Sequence, residues 1–190
     1  MPEQQIKWDQ IYRNSDITAA PATVLRQNAC LLPTQGTALD LACGLGGNAL
    51  FLAQHGLETQ AWDISPVALA KLDDKSQSAG LHIQTKPVKI TPETFSHQAF
   101  DVIVVSRFLD RSLASAILDA LNPDGLLFYQ TFVVDKLTRS GPSNPDYLLQ
   151  RNELLTLFEA LTLVYYQELS RIGDLNAGNR DEALFIGQKT

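Results

Sequence analysis

The chain is poor in cysteine, in histidine and in concentrated positive charge, and each shortage removes a class of function. Its two cysteines, Cys30 and Cys43, are far apart, and neither belongs to a CxxC pair. No zinc framework or dithiol redox motif is therefore expected, and two free thiols fit a reducing cytoplasm. No metal is expected. No apolar run reaches the length of about 18 residues needed to cross a bilayer, so no membrane span is expected. The opening residues, Met-Pro-Glu-Gln-Gln-Ile-Lys-Trp-Asp, lack the apolar core of a signal peptide. The cytoplasm is the expected compartment. Lys and Arg total 15 against 21 Asp and Glu, a net charge of −6, with no basic cluster. Nonspecific nucleic-acid binding depends on cations that displace counterions, so nucleic acid is not an expected partner.

What is present suits a folded α/β protein. The 190 residues are 45% hydrophobic, enough for one domain over 1–190 with a full core. No repeat or low-complexity segment occurs. Residues 1–35 read as a helical cap: Ile6, Trp8, Ile11 and Tyr12, a break at Asn14-Ser15-Asp16, then Val24-Leu25. Pro33-Thr34-Gln35-Gly36 is a turn. The period then changes. Short apolar runs at 37–42, 58–62, 81–90, 100–105, 126–132, 162–169 and 182–188 read as strands. Helices are expected between them at 48–55, from Ser65-Pro66 onward, at 112–121 and at 153–161. Ser65 is placed to cap its helix and Pro66 to occupy the first position. Such alternation predicts a doubly wound, mostly parallel, seven-stranded sheet. The last two strands have no helix between them, so they should form an antiparallel hairpin.

The segment Asp40-Leu-Ala-Cys-Gly44-Leu-Gly46-Gly47-Asn48-Ala49 joins the first strand to a helix. Glycines let backbone approach a ligand closely, the helix start offers unpaired N–H groups, and open α/β sheets bind ligands at the strands' carboxyl ends. Two cofactors compete for this loop. Gly44-x-Gly46-x-x-Ala49 fits the dinucleotide fingerprint, and Asp63 follows about 20 residues on, where an acid grips a ribose. A nicotinamide-dependent oxidoreductase is thus one reading. Asp40 argues against it. A buried acid four residues before the first glycine is costly without a partner, and a cationic ligand would supply one.

Leu39-Asp-Leu-Ala-Cys-Gly-Leu-Gly-Gly-Asn48 resembles the glycine motif of class I S-adenosylmethionine-dependent methyltransferases. Ala61-Trp-Asp-Ile-Ser65 resembles their acidic second motif. Phe100 to Val105 with Ser106-Arg-Phe-Leu109, the turn Leu121 to Gly125, and the terminal hairpin also match in order. More narrowly, Trp8-Asp-Gln-Ile-Tyr12, residues 52–56 and Asn144 to Leu149 are similar to the small bacterial tellurite-resistance-type group. The resemblance implies a Rossmann-like methyltransferase fold and S-adenosylmethionine as cofactor. It also implies in-line transfer of a methyl group to a small-molecule acceptor. It further implies that Asp63 holds the ribose with Ile64 beside it. Asp40, Ala42, Gly44, Leu45 and Gly46 would lie against the amino-acid part. Ser106, Arg107 and Phe108 would sit beneath the cofactor, and Trp8 and Tyr12 would cover it. The chain departs from the pattern at Ala42, where a glycine is usual, and at Gly47, where close relatives often have Arg. After the third strand Ile90 and Thr91 stand in place of an acid. No convincing general base is evident: His55, His82 and His97 are poorly placed, and Cys43 reads as a packing residue. Tyr12, Arg107 and Arg139 are the groups placed to meet an acceptor, and Arg107 is read equally as an anion site or a surface ion pair. The loop 135–150 is expected to shape the acceptor pocket. A non-catalytic cofactor-binding protein of the same fold is the remaining alternative.

Overall fold

The computed structural model describes residues 2–15 and 20–190. In chain order they form α1 (Pro2–Arg13), α2 (Thr23–Gln27), β1 (Thr37–Leu41), α3 (Gly47–Gln54), β2 (Glu58–Asp63), α4 (Pro66–Ser78), β3 (Ile83–Pro87), β4 (Phe100–Ser106), α5 (Ala114–Asp119), β5 (Leu121–Phe132), α6 (Glu153–Leu157), β6 (Thr162–Gln167) and β7 (Glu182–Gln188). The expected break at Asn14-Ser15-Asp16 runs into residues 16–19, which lie outside the described part. Among the described residues no helix is long and apolar enough to cross a membrane.

One seven-stranded sheet has the order β3-β2-β1-β4-β5-β7-β6. The first five strands run parallel, and β7 runs antiparallel to both β5 and β6. The doubly wound sheet and its terminal hairpin are as the alternation predicts. β7 comes last in the chain but inserts between β5 and β6, an order that departs from the 3-2-1-4-5-6 sheet of dinucleotide-binding folds.

Central strands are apolar on both faces because helices cover both. Along β4, Ile103 and Val105 pack with Leu39, Leu41, Trp62, Ile117 of α5 and Leu154 of α6. Val102 and Val104 point the other way, onto Val24 and Leu25 of α2 and Leu52 of α3. Leu69 and Leu72 of α4 close that second layer over Ala49 and Ala61.

Four boundaries differ from expectation. The 112–121 helix is shorter, a 3-10 turn at Arg111–Leu113 followed by α5, because the Ala120 carbonyl already accepts from the Phe100 N–H in the sheet. The turn at 122–125 lies within β5, where pairing with β4 jumps from Phe100–Leu121 to Val102–Leu126 and Asp124 takes φ 63°. β3 covers only the middle of 81–90. The helix at 153–161 stops at Leu157, and Phe158 turns inward to stack on Tyr129 and Phe185.

Candidate functional site

The carboxyl ends of β1, β2 and β4 meet at the glycine loop, and the loop's shape follows from its residues. Gly44 and Gly46 have φ of 51° and 75°, the left-handed region that side chains resist. A Cβ on Gly44 would lie 2.7 Å from the Tyr12 hydroxyl, and one on Gly46 would lie 2.6 Å from Leu72 Cδ2. Ala42 also takes a left-handed φ, 54°, so the residue standing for the usual first glycine carries the strain that glycine would avoid. Gly46→Ala combines that strain with overpacking against buried Leu72. We expect it to destabilise the fold by roughly 2 kcal/mol and to lower the melting temperature by roughly 4–8 °C; an unchanged melting curve would contradict this.

Asp40 sits beneath the loop and is fully buried. One oxygen accepts from Asn48 Nδ2 at 3.1 Å and the other from the Ala49 N–H at 3.0 Å. Asp40, read from the sequence as a buried acid, braces the first turn of α3 through these bonds. Burial raises its pKa to about 7, against the pull of Asn48 and the Ala49 amide. Asn48 is a hub that sequence reasoning passed over. Its Oδ1 accepts from the Ala22 N–H, and its Nδ2 also donates to Ser106 Oγ. The order Gly-Asn-Ala at a helix start was the available signal, since a buried Asn needs several partners.

Asp63 ends β2, with Ile64 half-buried beside it. Its Oδ2 accepts from the Gly44 N–H at 2.8 Å and its Oδ1 from the Ser65 N–H at 2.9 Å. An ionised carboxylate has about four acceptor positions, so each oxygen keeps one for a further donor. Burial raises the Asp63 pKa, with the Ser65, Gly44 and Ile64 amides opposing. Ser65 Oγ accepts from the Ala68 N–H, which confirms the cap, and donates to Asp9 Oδ1 of α1 at 2.5 Å.

α1 lies across this loop. Lys71 Nζ donates to the Tyr12, Arg13 and Ser15 carbonyls, a cation at the negative end of a helix. Trp8 stacks on Tyr12 with centroids 5.6 Å apart, and Tyr12 places its hydroxyl over Gly44. Burial, then Asp63, Cys43 and Asp40, pushes the Tyr12 pKa above the usual phenol value. The Cys43 thiol is likewise raised by burial. Neither group can serve as a base near neutral pH. Asp9 and Lys71, both unremarkable in sequence, hold α1 in place together with the cap residue Ser65.

Ser106 closes β4 beside Asn48. Arg107, at φ 53°, donates its N–H to the Gln130 carbonyl and its Nε to Glu182 Oε1 at 2.9 Å. Its guanidinium turns toward β7 and pairs with Glu182, the ion pair that the sequence offered as one of two readings. Phe108 packs on the core and its carbonyl accepts from Tyr129 Oη. Leu45 is buried within the loop. Arg139 is exposed on the 135–150 loop. That loop is pinned by Lys136 to the Ser140 and Pro142 carbonyls and by Asp181 to the Leu137 and Thr138 N–H groups.

Beside Asp63 a pocket of about 170 Å³ is lined by Gln5, Ile64, Pro66, Pro87, Val88 and Lys89. Ile90, which stands where an acid is missing after the third strand, packs on the core. A wider hollow of about 410 Å³, between residues 92–98 and α5, shares no residue with this site. Among the described residues no group of three or more His, Cys, Asp or Glu is arranged to hold a metal.

Comparison with known proteins gives this fold its relatives. A "Probable S-adenosyl-L-methionine-dependent methyltransferase TehB" from Haemophilus influenzae (strain 10810) is 24% identical over 189 residues, covering 94% of this chain and 64% of that protein. The chain thus spans less than two thirds of that relative's length. The crystal structure of TehB from Haemophilus influenzae superposes with a TM-score of 0.70 at 20% identity, over 97% of this chain and 67% of that one. Coclaurine N-methyltransferase bound to N-methylheliamine and SAH matches with a TM-score of 0.63 at 14% identity, over 87% and 71% of the two chains. These likenesses show the shared Rossmann-like fold. The family model described as tellurite resistance protein TehB matches residues 5–185, and the chain belongs to the TehB family.

Proposed function

We propose that this protein transfers a methyl group from S-adenosylmethionine to a small-molecule acceptor. One observation carries the reading: a bare backbone at Gly44 and Gly46, with Asp63 and buried Asp40 on either side, under the aromatic cover of Tyr12. The residues fit the cofactor. Asp63 keeps acceptor positions for two ribose hydroxyls. The pocket of Gln5, Ile64 and Val88 suits a flat apolar base, with backbone groups after β3 in place of the missing acid. The loop from Ala42 through Leu45 to Gly46 would face the amino-acid part, over Ser106 and the Phe108 segment, on the side where Tyr12 lies against Gly44. Within the expected cap over 1–35, α1 covers the site, with Trp8 and Tyr12 on its inner side, while α2 packs on the sheet.

When bound, the cofactor supplies an electrophilic methyl carbon on a sulfonium. The protein's own part is to position the reactants and exclude water. Asp40 and Asp63 contribute a negative field for the cation. Tyr12 stays a neutral phenol, so it packs and hydrogen-bonds without taking a proton. His55 is exposed and bonded to the Phe51 carbonyl. Among the described residues no His, Tyr or Cys is placed to act as a base in the site, so the acceptor is expected to arrive as a competent nucleophile. The net charge of −6 favours a small molecule over nucleic acid, and the cytoplasm is the compartment we assign. A nicotinamide cofactor is disfavoured by Asp40 and by the antiparallel β7.

A thermal-shift comparison tests this. S-adenosylmethionine or its demethylated product at a hundredfold over Kd should stabilise by about 2.7 kcal/mol, a rise of roughly 5–10 °C. NADH should give none. A shift with NADH alone would reverse the assignment.

A further inference from the structure

Arg107 follows Ser106, whose hydroxyl meets Asn48 of the glycine loop, so it starts on the ligand side of the sheet. The strand order then gives its side chain a direction. β1, which carries the loop, flanks β4 on one side; Glu182 belongs to β7, two strands away on the other. Reaching Glu182 takes the guanidinium across the end of β5 and away from the cofactor.

The anchor is well made. Glu182 has a side chain only 6% exposed. Besides Arg107 Nε, it accepts from Gln130 Nε2 at 2.5 Å and Asn179 Nδ2 at 3.1 Å. Gln130 Oε1 in turn accepts from the Val24 N–H at 2.9 Å, which ties the assembly to α2. The Arg107 side chain itself is 69% exposed, and its two terminal nitrogens have no partner among the described residues. Arg107 compensates the charge of buried Glu182, but that pairing uses only its Nε and does not occupy the two terminal nitrogens. Held by its Nε edge, the guanidinium presents a planar pair of donors whose spacing matches a carboxylate or other oxyanion.

We infer that Arg107 orients the methyl acceptor through an anionic group on that acceptor, and that Glu182 is the positioning residue that fixes its guanidinium. This rests on the transferase reading above. In the transfer, the acceptor's lone pair forms the bond to the methyl carbon. The carbon–sulfur bond breaks and its electron pair stays on sulfur. Arg107 takes no proton and acts by orientation alone.

Two matched thiols separate charge from reactivity: mercaptoacetate, which carries a carboxylate, and 2-mercaptoethanol, which does not. With labelled S-adenosylmethionine, Arg107→Gln should cut the preference for the anionic thiol by about tenfold or more. The loss should fall on KM rather than kcat, with cofactor Kd unchanged by calorimetry. Arg107→Lys should recover part of the preference, and Glu182→Gln should give an intermediate loss. Equal KM changes for both thiols, or a parallel loss of cofactor affinity, would overturn the inference. The Arg107 Nε–H resonance, assigned with Arg107→Lys, gives a readout without turnover. It should shift on titration with mercaptoacetate and not with mercaptoethanol. No selective shift overturns the role of Arg107 whether or not the cofactor binds. A selective shift in a protein that binds no S-adenosylmethionine sinks the transferase reading alone.

Discussion

Asp63→Ala is expected to weaken S-adenosylmethionine binding by roughly 10- to 100-fold. Hydrogen bonds to a charged group contribute about 1.5–3 kcal/mol, and each factor of ten in Kd is about 1.4 kcal/mol. Asp63 also accepts from the Gly44 and Ser65 amides, so its loss leaves those donors unpaired as well. Asp63→Asn separates the two roles. It keeps one acceptor for the loop amides but offers a donor where a ribose hydroxyl must donate. If ribose binding dominates, both variants lose affinity by calorimetry while Asp63→Asn keeps most of its apo melting temperature. Wild-type affinity in both would end the ribose assignment.

The second large effect is a pH dependence set by Asp40. Its folded-state pKa of about 7 exceeds the ordinary 3.8 because the carboxyl is buried. Between those values the native state holds a proton that the unfolded chain has released. Stability attributable to this group therefore falls as pH rises through that window and levels off above about pH 7. From pH 5 to pH 7 the loss is on the order of 2–3 kcal/mol, at about 1.4 kcal/mol per unit. Asp101, Asp181 and Glu153 have lowered values. Their stabilisation is present above the ordinary carboxyl pKa and is lost only as pH falls below it, outside this window. Denaturant unfolding at pH 5, 6, 7 and 8 should show the decline in wild type and a shallower one in Asp40→Asn, where Asp63, also raised by burial, still contributes. The Asn variant starts lower, because its amide meets Asn48 Nδ2 donor to donor, so the slope is the readout. Binding should run the opposite way. A cationic cofactor favours ionised Asp40, so affinity should rise from pH 5 to 7 in wild type and rise less steeply in the variant. Parallel curves for the two proteins in both experiments would remove Asp40 as the source.

Much of the fold was legible because its signals are local or periodic. The apolar runs at β1 and β4, buried on both faces, announce a covered parallel sheet. Ser65-Pro66 announces a helix start, and Gly44 and Gly46 announce left-handed turns. The missed boundaries share one cause. At Ala120, at residues 122–125 and at Phe158, long-range pairing or stacking overrode local preference, and periodicity does not register those partners.

The site divides in the same way. Sequence alone determined the loop, the acid at its far side and the order of strands that carries them, since these depend on residue type and spacing along one segment. Only the tertiary structure decided which way charged side chains face. Asp40 was legible as a buried acid, but its partners Asn48 and Ala49 on α3 were not. Arg107, balanced between two roles, is fixed by Glu182 some 75 residues on. Lys71 and Asp9 become latches only once α1 lies on α4. A buried charge must find its partner wherever the fold brings one, and that partner has no fixed offset in the chain.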